Sequence, residues 1–156
     1  MRASMRTVVE SDEPFLFELY ASTRTQEMAL VPWTHTQKQA FLQMQFAAQK
    51  SSYAKQHPGA THEIICLEKL SVGRLYLDRS GERFHILDIT ILPARRNEGI
   101  GREVLEEILR EAHIAGKSTT IYVESLNPSL RLFERLGFVK ERVTDLQVLL
   151  ERQPSA

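Results

Sequence analysis

The chain has 156 residues, enough for one well-buried core and too few for two ordinary domains, so residues 1–156 are expected to form a single domain. Apolar residues make up 42% and charged residues 26%, which excludes a disordered chain. Lysine plus arginine equal aspartate plus glutamate at 20 each, so no global field draws in nucleic acid or an anionic membrane, and any affinity for anions has to be local.

Ser4 to Val9 reads as a first strand. Ser11-Asp12-Glu13-Pro14 then opens a helix with a capping side chain, acidic first-turn residues and an early proline, and Phe15, Leu16, Leu19 and Tyr20 give it an apolar face. A loop from about Thr23 to Trp33 leads to Thr34 and Gln37, a capping box for a second helix. Phe41, Met44, Ala48 and Tyr53 continue on one face of it until His57-Pro58-Gly59 stops it. Three strands follow, around Glu63 to Leu67, Val72 to Asp78 and Phe84 to Leu92, joined by short turns as an antiparallel meander. The one cysteine, Cys66, sits in the apolar run Ile64 to Leu67 as a buried thiol, and a cysteine-based zinc site is excluded on ligand count; no metal is expected.

Next comes Arg95-Arg96-Asn97-Glu98-Gly99-Ile100-Gly101-Arg102, followed by a strong helix with Ile100, Val104, Leu105, Ile108, Leu109 and Ala112 at helical spacing and a stop at Gly116. Thr119 to Val123 is a short strand, Asn127-Pro128 opens a helix ending at Gly137, and Phe138 to Val143 with Leu146 to Leu150 form a closing hairpin. This order implies an α/β domain, a mixed sheet carrying helices. No apolar run approaches the roughly 18 residues needed to span a bilayer. The first residues lack the apolar core of a signal peptide, so a cytoplasmic location is expected.

A helix N-terminus offers unsatisfied N–H groups and a partial positive charge, and glycines at 99 and 101 would let an anion approach those amides. Val104 stands where a dinucleotide-binding fingerprint needs its third glycine, and the Gly-Lys-Ser/Thr of a P-loop is absent. Neither nucleotide-binding class fits. The segment is a strand-to-helix turn or a phosphate cradle.

Two motifs together decide how it is read. Arg96-x-x-Gly99-x-Gly101 after Ile89-Thr90-Ile91-Leu92-Pro93, and the later Asn127-Pro128-Ser129-Leu130-Arg131-Leu132-Phe133-Glu134-Arg135-Leu136-Gly137-Phe138, resemble the GCN5-related N-acetyltransferase family. The resemblance implies a mostly antiparallel central sheet, splayed at the cofactor site and flanked by about four helices. It implies an N-acetyltransferase with acetyl-CoA as cosubstrate and a primary amine as acceptor. Arg96, Gly99, Ile100, Gly101 and Arg102 would hold the pyrophosphate, the backbone of Ile89, Thr90 and Ile91 the pantetheine arm, and Asn127 the arm from the other side, with Phe133 beside it. A capping role for Asn127 is compatible with that contact.

The family often carries a tyrosine as general acid at the position of Phe133, and phenylalanine has no proton to give. Glu98 stands where many members have a neutral or basic residue. A thiolate of pKa about 8.5 is not a poor leaving group, so loss of the acid is tolerable. A non-catalytic acyl-CoA-binding sensor or interaction domain is the alternative. A nucleic-acid binder using Arg95, Arg96 and Arg102 is disfavoured by the neutral charge.

An amine nucleophile has to lose a proton to a base or a water chain. Strict alternation puts His85, Leu87, Ile89 and Ile91 on one face of their strand and Ile86, Asp88 and Thr90 on the other, so His85 and Asp88 share a face only if a bulge intervenes. His85, Asp88, Tyr122 and Glu124 are the candidate bases. In the family the acceptor pocket is built by the first two helices and their connection, which here carries Glu27 and Trp33, with His35 just inside the next helix. Either a monomer or a homodimer is compatible with the sequence.

Overall fold

The computed structural model describes residues 2–154. Seven strands form one sheet in the order β1-β2-β3-β4-β5-β7-β6: β1 (Ala3–Thr7), β2 (Thr61–Leu67), β3 (Leu70–Asp78), β4 (Phe84–Ile91), β5 (Thr119–Glu124), β6 (Val139–Val143) and β7 (Gln147–Arg152). Neighbours are antiparallel except β4 and β5, whose connection runs through a helix. The meander of β2, β3 and β4 and the closing hairpin of β6 and β7 are as expected from the sequence.

Helices α1 (Glu13–Ser22) and α3 (His35–Gln56) cover one face of the sheet, where Leu16, Tyr20, Leu42 and Phe46 pack with Ile64 and Cys66. Asp12 fixes the start of α1: it accepts hydrogen bonds from the Arg6 guanidinium at 2.8 and 2.9 Å and from the Val9 N–H at 2.8 Å. The Arg6 hydrogen bond, then the Val9 bond, hold its carboxyl down at about 2. Thr34 and Gln37 form the expected capping box of α3, at 3.2 and 2.9 Å. The buried seam of α3 differs from expectation. It runs through Leu42 and Phe46, with Gln49 and Tyr53 half-buried beyond them, while Met44 is exposed. A short helix, α2 (Thr25–Ala29), occupies what the sequence reads as loop.

The opposite face carries α4 (Ile100–Ala115) and α5 (Leu130–Arg135). Ile100, Val104, Leu105, Ile108 and Ala112 of α4 pack on Ile65, Leu75, Leu77, Ile86 and Ile121 of the sheet. Each of the larger side chains contributes about 1.5–3 kcal/mol on burial, so this layer supplies the larger core. Among the described residues no helix is long and apolar enough to cross a membrane.

Gly73 of β3 lies opposite Ile91 of β4, and a Cβ there would meet the Thr90 carbonyl oxygen at 2.3 Å. Only glycine permits that approach. Gly73→Ala is therefore expected to push β4 from β3 and to lower stability by about 1–3 kcal/mol in urea unfolding; an unchanged midpoint would show that the strands have room.

Candidate active site

The site begins with strands that stop pairing. β4 and β5 are joined only through Phe84, His85 and Ile86, opposite Thr119, Thr120 and Ile121. Beyond that point β4 stays with β3 as far as Ile91, and β5 stays with β7 as far as Glu124, so a gap opens between them. The Leu92 N–H donates to the Val72 carbonyl at 2.8 Å, and strand alternation then turns the N–H and C=O of Ile91 and Ile89 into the gap. Thr90 turns its backbone toward β3 instead. Of the three residues expected to line the arm, two face the gap with their main chain.

The loop at the end of this strand reverses through two left-handed residues, Asn97 at φ 64° and Gly99 at φ 83°. No side chain caps α4, so the amides of its first turn have no capping partner. A Cβ at Gly101 would meet only Ile91 Cγ1, at 4.0 Å. Nothing inside the protein requires glycine there, and the space above those amides is open. Arg96 donates to the Ile91 carbonyl at 3.3 Å, which places its guanidinium at the junction of gap and loop. Arg95 and Glu98 lie 3.6 Å apart, and Arg102 reaches along α4 to Glu106 at 3.1 Å. Glu98 is thus beside a cation.

Asn127 is exposed, and its Oδ1 accepts from the Ser129 N–H at 2.9 Å, the local turn that leads into α5. Phe133 is only 4% exposed and packs edge-on to Phe138 within the main core.

The base candidates are rearranged by a bulge. Tyr76 pairs with Asp88 and the adjacent Leu77 pairs with Ile86, so Leu87 is the extra residue. Strict alternation therefore fails: His85 and Asp88 share the face covered by α3, opposite Ile89 and Ile91. Asp88 is fully engaged. Its Oδ2 receives the Arg74 Nε at 2.6 Å and a second Arg74 nitrogen at 2.5 Å, and its Oδ1 receives the Thr90 hydroxyl at 2.8 Å. It neutralises a buried guanidinium that also donates to Gln49 at 2.7 Å.

His85 stands differently. Its Nδ1 lies 2.8 Å from Thr120 Oγ1, and that hydroxyl donates its own proton to the Phe84 carbonyl at 3.3 Å. The hydroxyl must then accept from His85, which puts the proton on Nδ1 and leaves the lone pair on Nε2. Among the described residues Nε2 has no partner, and it is not sealed from solvent. Burial, then the neighbouring His57, push the His85 imidazole below its ordinary pKa, so it is unprotonated at neutral pH. Tyr122, the first β5 residue past the pairing, stands edge-on to it at 5.7 Å and is 48% exposed. Glu124 is exposed at the far end of β5.

Two clefts open on this face. One of about 420 Å³ lies between the start of α1, the end of α3 and strands β2 and β3, and includes Glu13, Lys50, Tyr53, His62, Arg74 and Tyr76. A smaller one of about 240 Å³ lies beside Tyr122, with Arg142, Thr144, Gln147 and Leu149. Glu27 and Trp33 line neither: Glu27 lies 3.5 Å from Arg24, and the Trp33 ring stands edge-on to Phe41 at 5.2 Å.

Comparison with known proteins gives the family of the chain. The family model described as the acetyltransferase (GNAT) family matches residues 15–138. The chain belongs to the GNAT acetyltransferase family. Among solved structures it is similar to the PaiA N-acetyltransferase of Thermoplasma acidophilum in complex with coenzyme A, with TM-score 0.74 and 14% identity over 98% of this chain and 99% of that one. The ribosomal-protein-S18-alanine N-acetyltransferase of Escherichia coli gives TM-score 0.66 and 16% identity over 99% and 96%. YncA of Salmonella typhimurium, solved with its cofactor acetyl-CoA, gives 0.61 and 19% over 100% and 96%. No curated protein is significantly similar in sequence. At such identities the likeness to these structures is one of fold, a mixed α/β fold with a mostly antiparallel sheet.

His62, which the sequence reading passes over, has the most strongly displaced imidazole of this face. It stacks on Tyr76 at 4.4 Å, its Nε2 is buried without a partner, and burial, then Arg74, bring it down to about 4. Unfolded, a histidine takes its proton near 6.5. Between these values the unfolded chain binds more protons, so stability falls as pH is lowered from about 6.5 to about 4. His62→Phe is expected to reduce the drop in Tm between pH 7 and pH 5; an equal drop in both proteins would place the acid sensitivity elsewhere.

Proposed function

We propose that the protein is an acetyl-CoA-dependent N-acetyltransferase in which a primary amine attacks directly and His85 receives the amine's proton. The observation that carries this reading is the unpaired edge of β4 leading onto an uncapped, glycine-opened helix start. Acetyl-CoA supplies an acetyl group activated as a thioester. The N–H and C=O groups of Ile89 and Ile91 offer an extended arm a strand to pair with, and an N–H near Ile91 is available to the carbonyl oxygen as charge develops on it. The amides of Ile100, Gly101 and Arg102, with Arg96, suit a pyrophosphate. We assign exposed Asn127 to the arm on the α5 side.

Among the four candidate bases His85 has the supporting geometry. Its Nε2 carries the lone pair, and it lies one residue before Ile86, whose pairing with Ile121 is the last before β4 and β5 part. Asp88 has both oxygens occupied, and we assign it the role of holding Arg74 and the bulge. Tyr122 is the first β5 residue past the Ile86–Ile121 pairing, and Glu124 lies beyond it. With Glu27 and Trp33 away from the clefts, we assign the acceptor to the face beside Tyr122 rather than to the α1–α3 connection.

Phe133 favours a second reading, a non-catalytic acyl-CoA-binding domain, because its buried ring cannot protonate a departing thiolate. Incubation with acetyl-CoA and a panel of amines separates the two. Amine-dependent release of CoA is the outcome expected; tight binding of acetyl-CoA without release would establish the sensor.

Gly101→Val should leave the fold intact and weaken acetyl-CoA at least tenfold in calorimetry, because its side chain would fill the space above the helix amides. Unchanged affinity would place the phosphates elsewhere. His85→Gln should lower kcat by about 10²–10⁴-fold, the usual contribution of a general base, while acetyl-CoA affinity stays near that of the unmodified protein. Wild-type turnover would remove His85 from the mechanism.

A further inference from the structure

Behind His85 stands a second imidazole that the acetyltransferase reading does not use. His57 ends α3, and its ring stacks on that of His85 with centroids 5.5 Å apart and planes inclined by 22°. Its Nδ1 lies 2.9 Å from Asp78 Oδ2. Asp78 is itself fixed, since its Oδ1 accepts the Ser80 N–H at 2.9 Å and the Ser80 hydroxyl at 2.5 Å. Burial pushes the Asp78 carboxyl up, but the Ser80 and His57 hydrogen bonds outweigh it and bring it down to about 2. An ionised carboxylate only accepts, so His57 donates from Nδ1 and its ring orientation is set. Register completes the alignment: Asp78 of β3 is directly opposite His85 of β4, which is directly opposite Thr120 of β5.

We propose that His57, anchored by Asp78, is a positioning residue for His85, backing its imidazole against Thr120 and Tyr122 and opposing its protonation whenever His57 itself is doubly protonated. This rests on the reading of His85 as the base.

The two rings act on one another at short range. An added proton on each ring would place two positive charges about 5.5 Å apart on a half-buried face, where screening by water is incomplete. The groups that face His85 are few. Asp78 from β3 attracts a charge on it, Arg83 just before β4 repels one, and Thr120 and Tyr122 from β5 flank the ring. Arg83 is drawn away by Glu141 at 3.0 Å and Glu151 at 3.4 Å. That leaves His57 as the ionisable group whose position is fixed against the ring by stacking and by Asp78. Its role goes beyond packing, because a purely structural partner would support the fold without moving the titration of His85.

The test replaces the charge and keeps the hydrogen bond. In His57→Gln the carboxamide can still donate to Asp78, but Asp78 then faces His85 with no cation between, so His85 should take a proton more readily. NMR titration of the His85 Cε1–H is expected to show its midpoint raised, by a few tenths to about one pH unit. The acid limb of kcat/KM should move up in step. In the unmodified protein each ring's titration curve should carry a second inflection from the other, a readout that does not depend on the variant folding. An unchanged His85 midpoint in a folded His57→Gln protein, or single inflections in the unmodified one, would overturn the proposal. A shifted midpoint with an unmoved acid limb would also overturn it, because His85 would then not be the base. The NMR arm reads the coupling between the rings without turnover, and amine-dependent CoA release reads the acetyltransferase function, so failure of one is distinguishable from failure of the other.

Discussion

Backbone groups that lose their strand partner organise this molecule. Buried N–H and C=O groups are costly when unpaired, so a sheet parts in its middle only where water or a ligand takes over the missing bonds. Here the parting is tolerated because each strand is secured on its other side: β4 runs along β3 to Ile91, and β5 runs along β7 to Glu124. Gly73 lets β3 and β4 approach closely at the level where the gap is open. The result is a groove whose walls are main chain, with the uncapped start of α4 at one end and His85 at the other.

The bulge at Leu87 links that groove to the polar face beneath α3. One extra residue turns Asp88 and His85 to the same side, and the Tyr53 hydroxyl donates to the Leu87 carbonyl at 3.3 Å. A polar cluster on a sheet face is expensive unless its members satisfy one another. Arg74, Asp88, Thr90 and Gln49 do so as one group, His57, Asp78 and Ser80 as a second, and His85 pairs with Thr120. His62 Nε2 is the exception on this face among the described residues, and it is the histidine most strongly displaced toward the neutral form.

Much of this was legible in the chain where local rules suffice. The capping box at Thr34 and Gln37, the apolar stripe of α4 and the glycine-marked loop before it are short-range patterns, and each folds as read. The first family motif lies in that same stretch, and the second, Asn127 to Phe138, follows β5. The bulge was not legible, because it is set by the register of β4 against β3, which alternation within β4 alone does not contain. For the same reason His57 was read only as a helix stop and Asp78 as a strand end; the pair is 21 residues apart and meets only in the folded sheet. In α3 the apolar residues outnumber those that one seam can bury, so Leu42 and Phe46 took the core while Met44 stayed in solvent. No local pattern marks Arg74, which is buried and ion-paired in the folded sheet.

The central claim is that the opening between β4 and β5, with the start of α4, receives acetyl-CoA. Amide chemical-shift mapping of the isotopically labelled protein during titration with acetyl-CoA tests it most directly. The expected result is that the largest changes fall on Ile89, Ile91, Ile100, Gly101 and Arg102. Changes confined to the β6–β7 hairpin or to the cleft of His62 and Tyr76, with those five amides unmoved, would contradict it.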